Sequence, residues 1–168
     1  MNPLLVVDGY NVIGAWPEAE RRSWSVEESR DQLLHALQDY GGYSGEDIVL
    51  VFDGYMSDRK IRTEERFGPV TVIFTRHAET ADSYIERLVA ETPRYRAVRV
   101  ATSDGLEQSQ VLATGATRLT SRELLRELRQ TRQAGVQQAG ARSVQSGKNI
   151  EAQLPDHLKA ELERIRRG

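Results

Sequence analysis

The 168-residue chain contains no cysteine, which excludes disulfides and thiolate metal sites together. Its three histidines are too few and too scattered to build a zinc site by themselves. Any metal would have to be held by oxygen ligands. No apolar run approaches the roughly 20 residues that span a bilayer. Pro3 to Val7 is one short apolar strand with no basic stretch before it and Asp8 directly after it, so no signal peptide is expected either. The expected location is the cytoplasm. Also missing is the Gly-rich Lys-Ser/Thr loop that cradles nucleotide phosphates. With tyrosine at position 10, there is no aspartate two residues after Asp8, such as a covalent aspartyl-phosphate enzyme would carry. These two absences count against phosphotransferases and phosphatases acting on small molecules.

What is present is a soluble composition, 39% hydrophobic and 29% charged, in a chain long enough for one α/β domain and too short for two. The net charge of −2 hides an asymmetry: residues 1–117 carry a net −7 and residues 118–168 a net +5. The first part could hold a cation and the second a polyanion. Four apolar runs, Leu4–Val7, Ile48–Phe52, Val70–Phe74 and Ala97–Ala101, read as buried parallel strands, with Ala116–Leu119 as a short fifth. Helical patterns alternate with them. Ser25–Tyr40 opens with capping-box spacing between Ser25 and Glu28, and further helices are expected over Thr80–Glu91, over Leu106–Ala113, and from Thr120 through Leu128. Strands alternating with helices predict a three-layer α/β/α sandwich around a mostly parallel sheet. The domain is expected over residues 1–133. A flexible linker rich in Gly, Ala, Gln and Ser is expected over 134–153, and a basic helix over 154–168.

Three of the expected strands end in aspartate followed by glycine: Asp8-Gly9, Asp53-Gly54 and, two residues further on, Asp104-Gly105. The carboxyl ends of parallel strands share one edge, where ligands bind in open α/β sheets. Asp-Gly is also ordinary turn chemistry, with aspartate accepting local backbone hydrogen bonds and glycine permitting positive φ. Three at equivalent strand ends argue for more, because gathered negative charges repel unless a cation offsets them. Asp82 joins them as the first member of an i, i+3, i+7 stripe with Ile85 and Val89, which would turn it inward, and Glu86 lies at i+4 from it. An aspartate in a first helical turn also complements the helix dipole. Carboxylates without His or Cys suit Mg²⁺ or Mn²⁺. Such an ion can activate water and offset charge on a phosphate, which points to phosphodiester hydrolysis.

Asp8-Gly9-Tyr10-Asn11-Val12-Ile13 resembles the signature of the NYN domain, a relative of the PIN nuclease fold. Val51-Phe52-Asp53, Glu79-Thr80-Ala81-Asp82-Ser83-Tyr84-Ile85-Glu86 and Val100-Ala101-Thr102-Ser103-Asp104 follow in the order of its YacP-like branch, the ribosome-associated endoribonucleases of bacteria. The likeness covers roughly residues 3–130. It implies a PIN-like sheet and a metal-dependent endoribonuclease acting on RNA, with mRNA on the ribosome as the expected substrate and no role for DNA or membranes. Carried onto this chain, Asp8, Asp82 and Asp104 would form the metal-binding core, with Asp53 and Asn11 supporting it. Gly54-Tyr55 after Asp53 departs from the family pattern.

RNA at such a pocket needs counter-charge at its rim. The loop after the second strand, with Arg59, Lys60 and Arg62, and the loop before Asp82, with Arg76 and His77, could supply it; ordinary solvated surface is the competing explanation. Tyr10 and Tyr55 could stack on bases or pack in the core. The final helix could dock on the domain through Leu158, Leu162 and Ile165, or serve as an arm for ribosomal RNA. The rival function is a non-catalytic RNA- or ribosome-binding module with the same fold.

Overall fold

A computed structural model describes residues 1–102 and 115–146, with side chains described through residue 135. Six strands are present: β1 (Leu4–Asp8), β2 (Asp47–Phe52), β3 (Thr63–Phe67), β4 (Val70–Phe74), β5 (Val98–Ala101) and β6 (Thr117–Leu119). The described helices are α1 (Gly9–Gly14), α2 (Pro17–Arg21), α3 (Val26–Ser44), α4 (Ala81–Glu91) and α5 (Ser121–Ser146). The helix expected over Leu106–Ala113 and the basic helix expected over 154–168 lie outside the described residues.

The strands form one sheet in the order β3-β4-β2-β1-β5-β6. Every neighbouring pair is parallel except β3 with β4. Because side chains alternate across a strand, β1 sends Leu5 and Val7 to one face and Leu4 and Val6 to the other. The first face packs with Val12 of α1, Leu33, Leu34 and Leu37 of α3, and Leu124, Leu125 and Leu128 of α5. The second face packs with Ala81, Ile85 and Val89 of α4. This is the expected α/β/α sandwich. The central strands β1 and β2 are apolar on both faces because both are covered, as parallel sheets require.

Local signals explain most of the boundaries. Ser25 caps α3 by accepting from the Glu28 amide at 3.0 Å, and Thr80 caps α4 by accepting from the Ser83 amide at 3.1 Å. The helix α3 continues through Gly41 to Ser44 rather than stopping at Tyr40. Gly41 is not a terminator here; a Cβ on it would lie 2.7 Å from Pro69 Cγ, so the glycine lets the helix approach the β3–β4 turn. Termination falls to Gly45, at φ 75°.

Two features differ from expectation. The antiparallel edge strand β3 was not anticipated, because Thr-Glu-Glu-Arg-Phe reads as charged loop; its exposed Glu64 and Arg66 are the charges that keep an edge from pairing further. The segment expected as linker from residue 134 continues as helix α5 to Ser146. Ala, Gln and Arg are strong helix formers, and they outweigh the scattered glycines.

Candidate functional site

The carboxyl ends of β4, β2, β1 and β5 lie side by side along one edge. Asp8 closes β1, opposite Val51 of β2. It is only 7% exposed, and although it stands at the N-cap of α1 its side chain does not cap that helix. Nor is Gly9 present for a positive φ. A Cβ there would meet Phe52 Cε1 at 2.4 Å, so its lack of a side chain lets α1 begin directly against β2.

Asp53 is different. It is exposed, and both its oxygens are engaged: Oδ1 accepts from the Tyr55 amide at 2.7 Å and Oδ2 from the Ala81 amide at 3.0 Å. It thus ties the end of β2 to the first turn of α4 and suits a supporting role better than a ligating one. The neighbouring Gly54 permits a closer approach still, since a Cβ would fall 1.8 Å from the Thr75 carbonyl oxygen. The buried Thr75 hydroxyl accepts from the Gly54 amide at 2.7 Å and donates to the Glu79 carbonyl at 2.8 Å. The loops after β2 and β4 are joined by these bonds.

Asp82 sits in the first turn of α4, beside Ala81, which Asp53 holds. It is exposed. The inward stripe of the helix is Ala81, Ile85 and Val89, so the expected inward placement of Asp82 is corrected by one residue: the short alanine enters the core and the aspartate beside it is exposed. Glu86 is exposed with it. Asp104 lies outside the described residues. Among the described residues no three His, Asp or Glu side chains are grouped to hold a metal ion.

On the other side of Asp8, Asn11 projects from α1 toward the start of α5, where the buried Ser121 hydroxyl donates to its Oδ1 at 3.1 Å. The bond fixes Asn11 between α1 and the start of α5, with an amide that offers both an acceptor oxygen and a donor nitrogen. Tyr10, Asn11, Thr120, Ser121 and Arg122 line an open cavity at this place.

The basic residues divide. Lys60 and Arg76 are exposed. Arg59 lies over the Phe74 ring, 4.5 Å from its centroid. Arg62, expected as a phosphate contact, is engaged instead: its Nε donates to Glu79 Oε1 at 3.0 Å, its Nη2 pairs with Oε2, and its guanidinium lies 4.7 Å from the Tyr84 ring. Arg87 pairs with the same Glu79 at 2.8 Å. The hydrogen bond from Arg62, ahead of that from Arg87, pulls the Glu79 carboxyl down to about 2 against the cost of burial. His77 Nδ1 lies 2.7 Å from the Ser57 carbonyl. Tyr10 packs on Phe52 at 5.0 Å and accepts from Arg30, whereas Tyr55 is 44% exposed.

The roles of Glu79 and Ser121 escaped sequence reasoning, although Glu79 heads the Glu-Thr-Ala-Asp block. So did a polar cluster in which Arg99 of β5 joins Glu46, Glu127 and the Tyr40 hydroxyl. Burial opposes the charge of Arg99, but its bonds to Glu46, Glu127 and Tyr40 prevail and raise its pKa. Burial, then the bond to Glu127, raises that of Tyr40. These partners are separated by up to 87 residues in sequence, so no local pattern marks them.

The sequence model of the YacP-like NYN domain matches residues 5–167. The chain belongs to this family. It is 42% identical over 129 residues to the "uncharacterized protein YacP" of Bacillus subtilis (strain 168), covering 74% of each protein. Crystal structures of Rae1 (YacP) from Bacillus subtilis share the fold of this NYN domain at 35% identity. One has a TM-score of 0.71 over all of this chain and 96% of the other. A single-residue mutant gives 0.68 over 96% and 91%. The domain is therefore of nuclease type and RNA-related. No helix among the described residues is long and apolar enough to cross a membrane.

Proposed function

We propose that this NYN domain is a metal-dependent endoribonuclease that hydrolyses RNA phosphodiester bonds, with mRNA on the ribosome as its substrate and the cytoplasm as its place of action. The observation that carries the proposal is the placement of Asp8: a carboxylate 7% exposed at the carboxyl end of a central strand, on the same sheet edge as Asp53, which is bonded to the first turn of the helix that carries Asp82. That edge is where open α/β sheets bind their ligands.

The donor set fits Mg²⁺ or Mn²⁺, since every candidate ligand at this edge is an oxygen and the chain has no cysteine. Asp8, Asp82 and Asp104 would hold the ion. When bound, it would supply an activated water and offset charge at phosphorus. The chain's own residues do the positioning. Asp53 fixes the start of α4 and with it the backbone that carries Asp82. Ser121 holds Asn11, whose amide would orient a ligand carboxylate. Lys60 and Arg76, exposed on the two loops at this edge, supply positive charge for the RNA backbone, and no side-chain nucleophile is needed.

The test is cleavage of structured and single-stranded RNA, and of mRNA on translating ribosomes, by the wild type and Asp82→Asn in Mg²⁺, Mn²⁺ or EDTA. Cuts that need both the metal and Asp82, leaving a 5′-phosphate and a 3′-hydroxyl, are expected. No cleavage by either protein, with equal binding of both to ribosomes, would replace the enzyme with a binding module.

A further inference from the structure

Beside the carboxylate edge, Arg76, His77, Ala78, Glu79, Ser83 and Arg87 line an open cavity of about 530 Å³. Its charge is the notable feature. Glu79 brings one negative charge; of the two arginines that pair with it, Arg87 is in the lining and Arg62 is not. Arg76 adds a second guanidinium to the lining, with no carboxylate partner among the described residues. The surplus is positive although residues 1–117 carry a net −7. From these residues we infer that the cavity is an anion subsite that binds an RNA backbone phosphate flanking the one to be cut, with Arg76, Arg87 and Ser83 as its contacts. This rests on the endoribonuclease reading and deepens it.

Three observations support a built subsite rather than loose surface charge. First, Glu79 is 8% exposed and stays ionised down to about pH 2, so it fixes Arg87 by an ion pair while using only part of that guanidinium's five donors. Second, the loop bearing Arg76 and His77 is held at several points. The His77 amide donates to the Arg59 carbonyl at 2.8 Å, the Ala78 amide to the Tyr55 carbonyl at 3.0 Å, and the Glu79 amide to the Arg76 carbonyl at 3.0 Å. A fixed backbone limits where the loop's side chains can reach, which lowers the cost of ordering the loop on binding. Third, Ser83 and Arg87 are four residues apart on α4 and share a face. Ser83 follows Asp82, so the cavity opens about 100° around the helix from that carboxylate. A phosphate there would neighbour the candidate metal site without entering it. The Ser83 hydroxyl accepts from Thr80 at 2.9 Å and can direct its own proton at an oxygen.

The test is fluorescence anisotropy of a labelled 12-nucleotide single-stranded RNA with the full chain, in EDTA, at several KCl concentrations. Proteins compared are the wild type, Arg76→Gln/Arg87→Gln, and a charge-matched control, Arg66→Gln/Arg94→Gln, which alters exposed arginines outside the cavity. Circular dichroism melts confirm that each is folded. The cavity variant should weaken binding about tenfold or more and reduce the salt slope by about 0.7, the loss of one phosphate contact on a single strand. The control should remain within about twofold of the wild type. Equal weakening by the two variants, or none by either, overturns the subsite, as does a wild type that binds no RNA. A wild type that binds RNA through Arg76 and Arg87 here but cuts the same RNA neither in Mg²⁺ nor in Mn²⁺ nor on ribosomes would sink the enzyme and leave a site for an RNA backbone phosphate standing.

Discussion

Replacing Glu79 by Gln removes a carboxylate that holds Arg62 and Arg87 and anchors the loop before α4. The group is 8% exposed, and its carboxyl is lowered from 4.5 to about 2. At 1.36 kcal/mol per pKa unit that shift is worth about 3 kcal/mol. Its partners are 34% and 51% exposed, so solvent screening reduces the expected loss to about 1–2 kcal/mol at pH 7. The sign follows from linkage. A depressed carboxyl contributes stability that is fully present above the unfolded value of 4.5 and disappears as pH falls through about 2. Urea unfolding of wild type and Glu79→Gln should therefore differ most between about pH 5 and 7, with more than half of the gap gone at about pH 3. A gap of the same size at pH 7 and pH 3, or no gap at pH 7, would refute the assignment of Glu79 as the charged hub of this loop.

Other consequences can be checked separately. Gly54→Ala would drive a methyl into the Thr75 carbonyl, 1.8 Å from the built Cβ, and should cost about 2 kcal/mol or more by thermal melting; an unchanged Tm would count against the close approach. Tyr40→Phe removes a hydroxyl bonded to Arg99 and Glu127 and should destabilise by about 1–3 kcal/mol, measured in urea at pH 7, whereas a neutral effect would show the cluster to be dispensable. Ser121→Ala removes the hydroxyl that donates to Asn11 Oδ1 and should lower kcat for RNA cleavage about tenfold or more while leaving Tm within a few degrees; a parallel loss of fold would make Ser121 structural only.

Much of the fold could be read from patterning. The runs at Leu4, Ile48 and Val70 are apolar on both faces because helices cover both sides, and continuous apolar runs signal that state. The cap at Ser25 was legible from its capping-box spacing with Glu28. The edge strand β3 was hidden because its alternation is built from charges, although Phe67-Gly68-Pro69-Val70 is a turn signal that pointed to it: Gly68 has φ 61° and Phe67 pairs with Val70. Short helix α1 was concealed by reading Gly9 as a turn residue, when its function is to fit beneath Phe52. For the site, the position of Asp8 followed from strand order. The face of Asp82 did not, because i, i+3, i+7 and i, i+4, i+8 spacings both describe one helical side, and the small side chain of Ala81 decided which was buried. Charge alone could not separate Arg62, committed to Glu79, from Arg76, exposed on the neighbouring loop.

The most direct measurement is end-mapping of a labelled RNA incubated with the wild type and with Asp8→Asn, in Mn²⁺ and in EDTA, with and without ribosomes. A metal-dependent endoribonuclease built on Asp8 gives internal cuts in Mn²⁺ from the wild type alone, and loses them in EDTA and in the variant. Cuts that persist in EDTA, or at wild-type rate in folded Asp8→Asn, would contradict it.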